Sequence, residues 1–277
     1  DNGSSIYAMS FPSPTLLAAS FNDGLAEEMG ERMGEDALHT GITGIYAPGA
    51  NMHRTAYSSR NWEYHSEDGF LSAQIGKYRV IGMQSKGCYV NMKHFALNDQ
   101  ESYRHGVSVW ANEQSIREIY LYSYELAVTE GGCTGMMSAF NRIGTKWTGC
   151  HKGICTDILR TEWGFEGFIV SDSPYQEYMD VPTSLMAGND CFLSNRVGVT
   201  KYDAAKTNAS LALAMRESTH RILYTVVNSN AMNGFNSDTR IYEVREWWQN
   251  LVTGIQIAVA CIAAAVMIIT VMTFVFH

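Results

Sequence analysis

Two periods of apolar residues alternate along the chain. Behind Phe21-Asn22-Asp23, the residues Leu25, Met29, Met33 and Ala37 recur every four positions until Gly41, opposite Glu27, Glu28, Glu31 and Glu35. That spacing predicts an amphipathic helix with an Asn or Asp cap. Ile42 to Pro48 then reads as a strand ended by Pro48-Gly49, and the polar stretch Asn51 to Asp68 is too long to be a plain connector. Further on, the pattern predicts a helix from about Gly69 to Met83, a strand from Cys88 to Phe95, a polar segment from Asn98 to Trp110, and a helix from near Asn112 to Gly131-Gly132. A strand at Met136 to Phe140, a helix at Gly153 to Trp163, a strand at Phe168 to Val170, a short strand at Asp190 to Leu193 and a long helix at Asp203 to Val227 complete it.

Strand and helix alternating in this way predict an α/β fold with a parallel sheet wrapped by helices. About five strands are visible where a closed eight-stranded barrel needs eight, in typically ~250 residues. The expected fold is therefore a (β/α)8 TIM-barrel type, incomplete at its N-terminus. Asn228 to Asp238 is rich in Asn, Ser and Gly and reads as a linker. From Leu251 to Phe276 no residue is charged, a run longer than the ~20 residues a bilayer-crossing helix needs, and Trp247-Trp248 before it suit a membrane interface. The expected division is a barrel domain over 1–234, a linker over 235–250 and a transmembrane helix over 251–276. Membrane lipid is the expected partner of that helix, in a single-pass protein. Arg240 and Arg245 before the span and His277 after it, counted literally, would put the domain in the cytoplasm. The domain is nonetheless expected on the extracytoplasmic side.

Composition narrows the partner. The chain has 277 residues, 46% of them hydrophobic, ample for a core, and a formal charge of -8 that leaves no basic stripe for nucleic acid. Six cysteines show no C-x-x-C pair, and no His-x-His or clustered carboxylates suggest a metal site, so neither metal nor cofactor is expected. Asp1-Asn-Gly-Ser-Ser shows no basic region followed by an apolar one, so no signal peptide is read.

Gly167-Phe-Ile-Val-Ser-Asp172 is a buried-strand pattern ending at a carboxylate, the place where parallel α/β enzymes put their chemistry. A lone Asp there more often caps a turn. Other strand-like runs also end in polar clusters, at Lys93-His94 and at Asn141-Arg142, and a basic-polar ring around one carboxylate suits sugar hydrolysis.

Arg60-Asn-Trp-Glu63 with Ser66-Glu67-Asp68, Lys93-His94-Phe95 running on to Glu101, and Val170-Ser171-Asp172 together resemble glycoside hydrolase family 3, the β-glucosidase and β-xylosidase family. Ala47-Pro48-Gly49, Ser138-Ala-Phe-Asn141 and Glu162 to Phe168 extend the resemblance from Phe11-Pro12 to about Gly234. It implies a retaining β-glycosidase acting on terminal β-D-glucosyl or xylosyl residues of a β-linked glycoside. Asp172 matches the nucleophile, Lys93 and His94 the pair holding sugar hydroxyls, and Arg60 and Arg104 two further contacts. Arg and Lys charges near a carboxylate favour its ionised form, which a nucleophile requires.

Some positions depart from the family pattern. Phe140 stands where many members have a tyrosine whose hydroxyl can bond the nucleophile, and Ser173 where many have a tryptophan. The first barrel strands would lie before Asp1. Retaining hydrolysis also needs a second carboxyl ~5 Å from the first, which the family usually supplies from an α/β sandwich domain. The general acid/base is thus expected outside this chain, in an upstream sandwich domain. The residues after Phe95, Ala96-Leu97-Asn98-Asp99, lack the His-containing loop of the N-acetylglucosamine-specific members. Two alternatives remain: a catalytically silent, membrane-tethered carbohydrate-binding domain, and a metal-dependent barrel hydrolase.

Overall fold

A computed structural model describes residues 9–173, 178–193, 203–232 and 247–276. The chain divides into two units, Asp1–Asn236 and Ser237–His277. Residues 233–246, which include most of the expected linker, lie outside the described residues.

The helices of the first unit start where a short polar side chain can take a backbone N–H. Ser13, Asn22, Asp68, Asp180 and Asn208 sit in extended backbone and accept from the amide three residues on, at the starts of α1 (Pro14–Ala18), α2 (Asp23–Thr40), α3 (Gly69–Ser85), α6 (Val181–Ala187) and α7 (Ala209–Val227). Asn112 does the same for α4 (Glu113–Ser115), which runs through a wider π turn at Ile116–Tyr120 into α5 (Tyr122–Thr129). Gly153–Glu162 is π-helical as well.

Parallel strands form the sheet. β1 (Gly44–Ile45) pairs with β2 (Tyr89–Val90), and β3 (Met92–Phe95), β5 (Gly135–Ser138), β8 (Phe168–Ser171) and β9 (Cys191–Phe192) follow in chain order. Gly49 bridges to Lys93, so the first stave continues beside β3. Gly167 lies so close to the Thr134 carbonyl that a Cβ would collide with it, which is how β8 enters tight against β5. The core fills the space between sheet and helices. Met92, Phe95, Met136 and Ile169 from the strands meet Val80, Met83, Leu121, Tyr124 and Leu159, all fully buried.

Several expectations are corrected here. The strand expected at Ile42 to Pro48 pairs only at Gly44–Ile45 and Gly49, and Cys88 to Phe95 is broken at Asn91, whose neighbours form β2 and β3. The long helix starts at Ala209 rather than Asp203, because Asn208 caps it and Ala204–Lys206 forms a separate 3-10 turn. Leu25 is exposed. The rest of the expected apolar face does turn inward, Met29 and Ala37 buried and Met33 packed against the core, and Ala26, Gly30 and Gly34 widen it toward α3, where a Cβ at Gly30 would strike the Arg79 carbonyl and one at Gly82 the Glu27 carbonyl. Small residues there let the two backbones touch. The polar segment before Trp110 contains β4 (Ser108–Val109), which joins β6 (Arg142–Ile143) and β7 (Lys146–Trp147) in a small separate sheet.

One buried carboxylate ties the end of the sheet together. Asp190, with its side chain sealed from solvent, accepts from Arg160 at 2.6 Å and the Ile169 amide at 2.8 Å through Oδ2. Its Oδ1 accepts from Ser218 and Arg221, both at 2.9 Å.

The second unit contains α8 (Trp247–Phe276). It has 30 residues, about 45 Å at 1.5 Å per residue, and an 18-residue window within it has a mean hydropathy of 2.6. It is long and apolar enough to cross a membrane.

Candidate active site

The C-terminal end of the sheet collects the charged side chains. Asp172 follows β8 directly, and its amide donates to the Ser138 carbonyl at 3.0 Å, so the backbone under the carboxylate is still in register with β5. Its Oδ1 accepts from the Ser173 amide at 2.8 Å. Its Oδ2 takes no hydrogen bond among the described residues and lies 3.7 Å from His94 Nε2. Burial raises the Asp172 pKa above the usual carboxylate value, and the Ser173 amide with the charges of Arg104, Arg60 and Lys93 pull the other way. The sequence led to the expectation that the cations would dominate. In the structure desolvation wins, because the carboxylate is mostly buried.

His94 lies two strands away, on β3, with β5 between. Asn51 holds its backbone from both sides, accepting from the His94 amide at 2.8 Å and donating to its carbonyl at 3.0 Å. The ring is buried, and that burial, together with the positive charges of Arg60, Lys93 and Arg104, depresses its pKa well below the ordinary value. The imidazole is therefore neutral at neutral pH. An Arg60 Nη2, which can only donate, is 3.3 Å from Nε2, so the proton belongs on Nδ1, 3.2 Å from the Tyr64 hydroxyl oxygen. The Lys93–His94 peptide is cis.

Two carboxylates knit the cations. Glu63 accepts from Arg60 at 2.5 and 2.8 Å through Oε2, and Lys93 Nζ lies 2.8 Å from its Oε1. Burial alone would raise the Glu63 pKa, but the bonds from Lys93 and Arg60 overcome it and the net shift is downward. Glu101 spans Arg60 at 3.3 Å and Arg104 at 3.1 Å. Both carboxylates are committed to ion pairs, so neither is placed to serve as a general acid.

The expected site residues Arg60, Lys93, His94, Arg104 and Asp172 thus belong to one network. Phe140 reaches it only indirectly: it is buried, and the Arg104 guanidinium lies 4.4 Å above its ring. Arg142, read from the sequence as part of the polar ring, turns away. It donates to the Gly106 carbonyl at 2.9 Å and stacks on Tyr178 at 4.2 Å. Reading the sequence for catalytic groups missed the supporting residues Asn51, Glu63, Tyr64 and Glu101. The signal for two of them was present, in Glu63 three positions after Arg60 and Glu101 three before Arg104. No group of three or more metal-ligating side chains gathers among the described residues.

Comparison with known proteins points the same way. Residues 4–223 match the glycosyl hydrolase family 3 N-terminal domain. The thermostable beta-glucosidase B of Acetivibrio thermocellus is 32% identical over 229 residues, covering 82% of this chain and 30% of that protein. Beta-glucosidase A of Butyrivibrio fibrisolvens is 37% identical over 185 residues, 67% of this chain and 22% of the relative. The structure of beta-glucosidase 3B from Thermotoga neapolitana in complex with glucose superposes with a TM-score of 0.78 at 33% identity, over 84% of this chain and 34% of that one. The chain spans about a third or less of the relatives it matches. Its fold is of the α/β TIM-barrel type, and the chain belongs to glycosyl hydrolase family 3, of which it carries the N-terminal domain.

Proposed function

We propose that the chain is the nucleophile-bearing part of a retaining β-glucosidase. The observation that supports this best is the open Oδ2 of Asp172, facing a neutral His94 and the charges of Arg60, Lys93 and Arg104. In the first step a lone pair of Asp172 forms a bond to the anomeric carbon, the bond from that carbon to the leaving oxygen breaks, and the leaving oxygen takes a proton from an acid outside the described cluster. In the second, water attacks the same carbon, gives up a proton to the base, and the glycosyl-aspartate ester breaks. Arg60, Lys93, His94 and Arg104 hold the sugar hydroxyls, with Glu63 and Glu101 setting the positions of the cations. The α/β sandwich domain that supplies the acid, the division into barrel, linker and span, and xylosyl as an alternative glycone remain part of this proposal.

The test is a 2-fluoro β-glucoside with an activated leaving group, which needs no acid to depart. In the assembled protein it should label a single peptide, the one carrying Asp172. Labelling elsewhere would remove the assignment.

A second reading, a silent membrane-tethered sugar-binding domain, draws support from two observations: Glu63 and Glu101 are both tied up, and Phe140 offers no hydroxyl. Binding of glucose without any labelling would favour it. In either reading α8 is the anchor, with the sugar site on the extracytoplasmic side. Expression with and without residues 247–277 separates anchored from soluble: an anchor predicts that only the truncated chain leaves the membrane fraction.

A further inference from the structure

Outside the charged cluster, two basic side chains are buried with no acid beside them. Arg79 on α3 is 3% exposed, and His65, in the polar loop before that helix, is 1% exposed. Arg79 Nη1 lies 3.1 Å from His65 Nε2, and Nη2 donates to the Met33 sulfur at 3.6 Å. No carboxylate pairs with this guanidinium among the described residues, and neither its Nε nor the His65 Nδ1 has a partner there. Burial lowers the Arg79 pKa to about 10, which still leaves it charged at neutral pH.

That geometry fixes the protonation of the ring. A guanidinium only donates, so His65 Nε2 accepts and the single ring proton sits on Nδ1. Burial first, then Arg79 and His53, hold the His65 pKa well below its ordinary value. The ring is packed tightly: a Cβ at Gly76 would stand 3.6 Å from His65 Cε1 and 3.2 Å from the Met92 methyl. The charged and titratable groups that act on His65 are therefore Arg79 from α3 and His53 from its own loop, and both are basic. A proton on Nε2 would replace the hydrogen bond by two positive charges 3.1 Å apart in a buried site.

We infer that His65 and Arg79 form an acid-sensitive latch, which holds the loop from Asn51 to Asp68 against α3 while the imidazole is neutral and releases it when the ring takes a proton. The release is placed to spread. Arg60, Glu63 and Tyr64 of the same loop belong to the charged cluster, and Asp68 caps α3. His53 ties the loop from within, its amide donating to the Ser66 carbonyl at 3.1 Å and its Nε2 standing 3.0 Å from the Tyr64 carbonyl. Because the closed loop keeps His65 neutral, the latch is at full strength above about pH 6.5, and its closed-to-open ratio falls about tenfold per unit below that. Asp99, whose carboxylate holds the Met52 amide at the other end of the loop, acts with the opposite sign.

Amide hydrogen exchange of the full chain in detergent, read by mass spectrometry over peptides spanning 52–66 at pH 7.5 and 5.5, tests this. His65→Gln is the reference, because its carboxamide oxygen can accept from Arg79 and does not titrate. Wild-type protection divided by that of His65→Gln should fall about tenfold from the higher pH to the lower, since the contributions of Asp99 and His94 cancel in the ratio. Peptides of α7 should show no such fall. Arg79→Met removes the buried cation, and the ratio of wild type to it should fall in the same direction by less; this variant decides if His65→Gln does not fold. A ratio that stays constant with pH overturns the inference. An equal fall in α7 does so too, because the whole domain rather than one loop would then be opening. None of these measurements uses a substrate, so failure here is separable from failure of the glucosidase reading.

Discussion

Asp190 and Asp172 are the same residue type attached to opposite ends of the same strand, and the chain treats them in opposite ways. Asp190 grips the entry of β8 through the Ile169 amide, and both of its oxygens are saturated by Arg160, Arg221, Ser218 and that amide. Asp172 stands at the exit, one oxygen held by the next amide and the other without a hydrogen bond among the described residues. In parallel α/β folds the entry face of the sheet serves stability and the exit face serves chemistry. The difference shows how: a carboxylate whose lone pairs are all engaged is a rivet, and one with a lone pair in reserve can react.

The sharpest way to test the contrast is to remove each carboxylate and ask which property fails. Asp172→Asn should lower kcat of the assembled enzyme on an activated β-glucoside by at least roughly 10⁴-fold while the thermal midpoint hardly moves. Asp190→Asn should do the reverse. It leaves Arg160 and Arg221 partly unpaired in a buried site, and urea unfolding should show a loss of about 3–5 kcal/mol. If Asp190→Asn were as stable as wild type, the rivet would be wrong.

Asp99 stands between the two, with one oxygen engaged and the other without a partner among the described residues, and burial pushes it from 3.8 up to about 7. A folded pKa above the unfolded one means that the native state holds the proton longer. Its contribution is fully present below about pH 4 and is lost as pH rises toward 7, with an upper bound of roughly 4 kcal/mol. Unfolding measured across that window should show stability falling with pH, and Asp99→Asn should flatten the slope. The smallest effect is expected at Phe140. Phe140→Tyr adds a hydroxyl beside Arg104 and should leave KM similar while raising kcat by no more than about tenfold. A change confined to KM would assign Phe140 to the sugar pocket instead.

Much of this was legible from residue order. Asn22 and Asn112 announced helix starts because a short acceptor before an apolar repeat has few other uses, and Asp172 stood out because an apolar run stopped on a carboxylate. The small sheet of β4, β6 and β7 was not legible. Two-residue strands have no period to read, and their pairing joins segments more than thirty residues apart. On α2 the core-facing Met29, Met33 and Ala37 were legible, but the share of the contact made by Gly30 and Gly34 was not, since a missing side chain is invisible to an apolar count. Glu63 and Glu101 were hidden for another reason. Spaced three from an arginine, each looks like an ordinary surface ion pair, and only the fold shows Glu63 reaching Lys93 and Glu101 reaching two arginines.

The hydrogen bond from the Asp172 amide to Ser138 turns β8 into a ruler. Side chains alternate sides along a strand, so which side of β8 the carboxylate stands on depends on counting from Gly167 as much as on chemistry. Deleting one residue between Phe168 and Ser171 would turn Asp172 to the other side of the strand with every side chain of the charged cluster still encoded. This short stretch should accept exchanges such as Ile169→Val readily, yet tolerate no change in length.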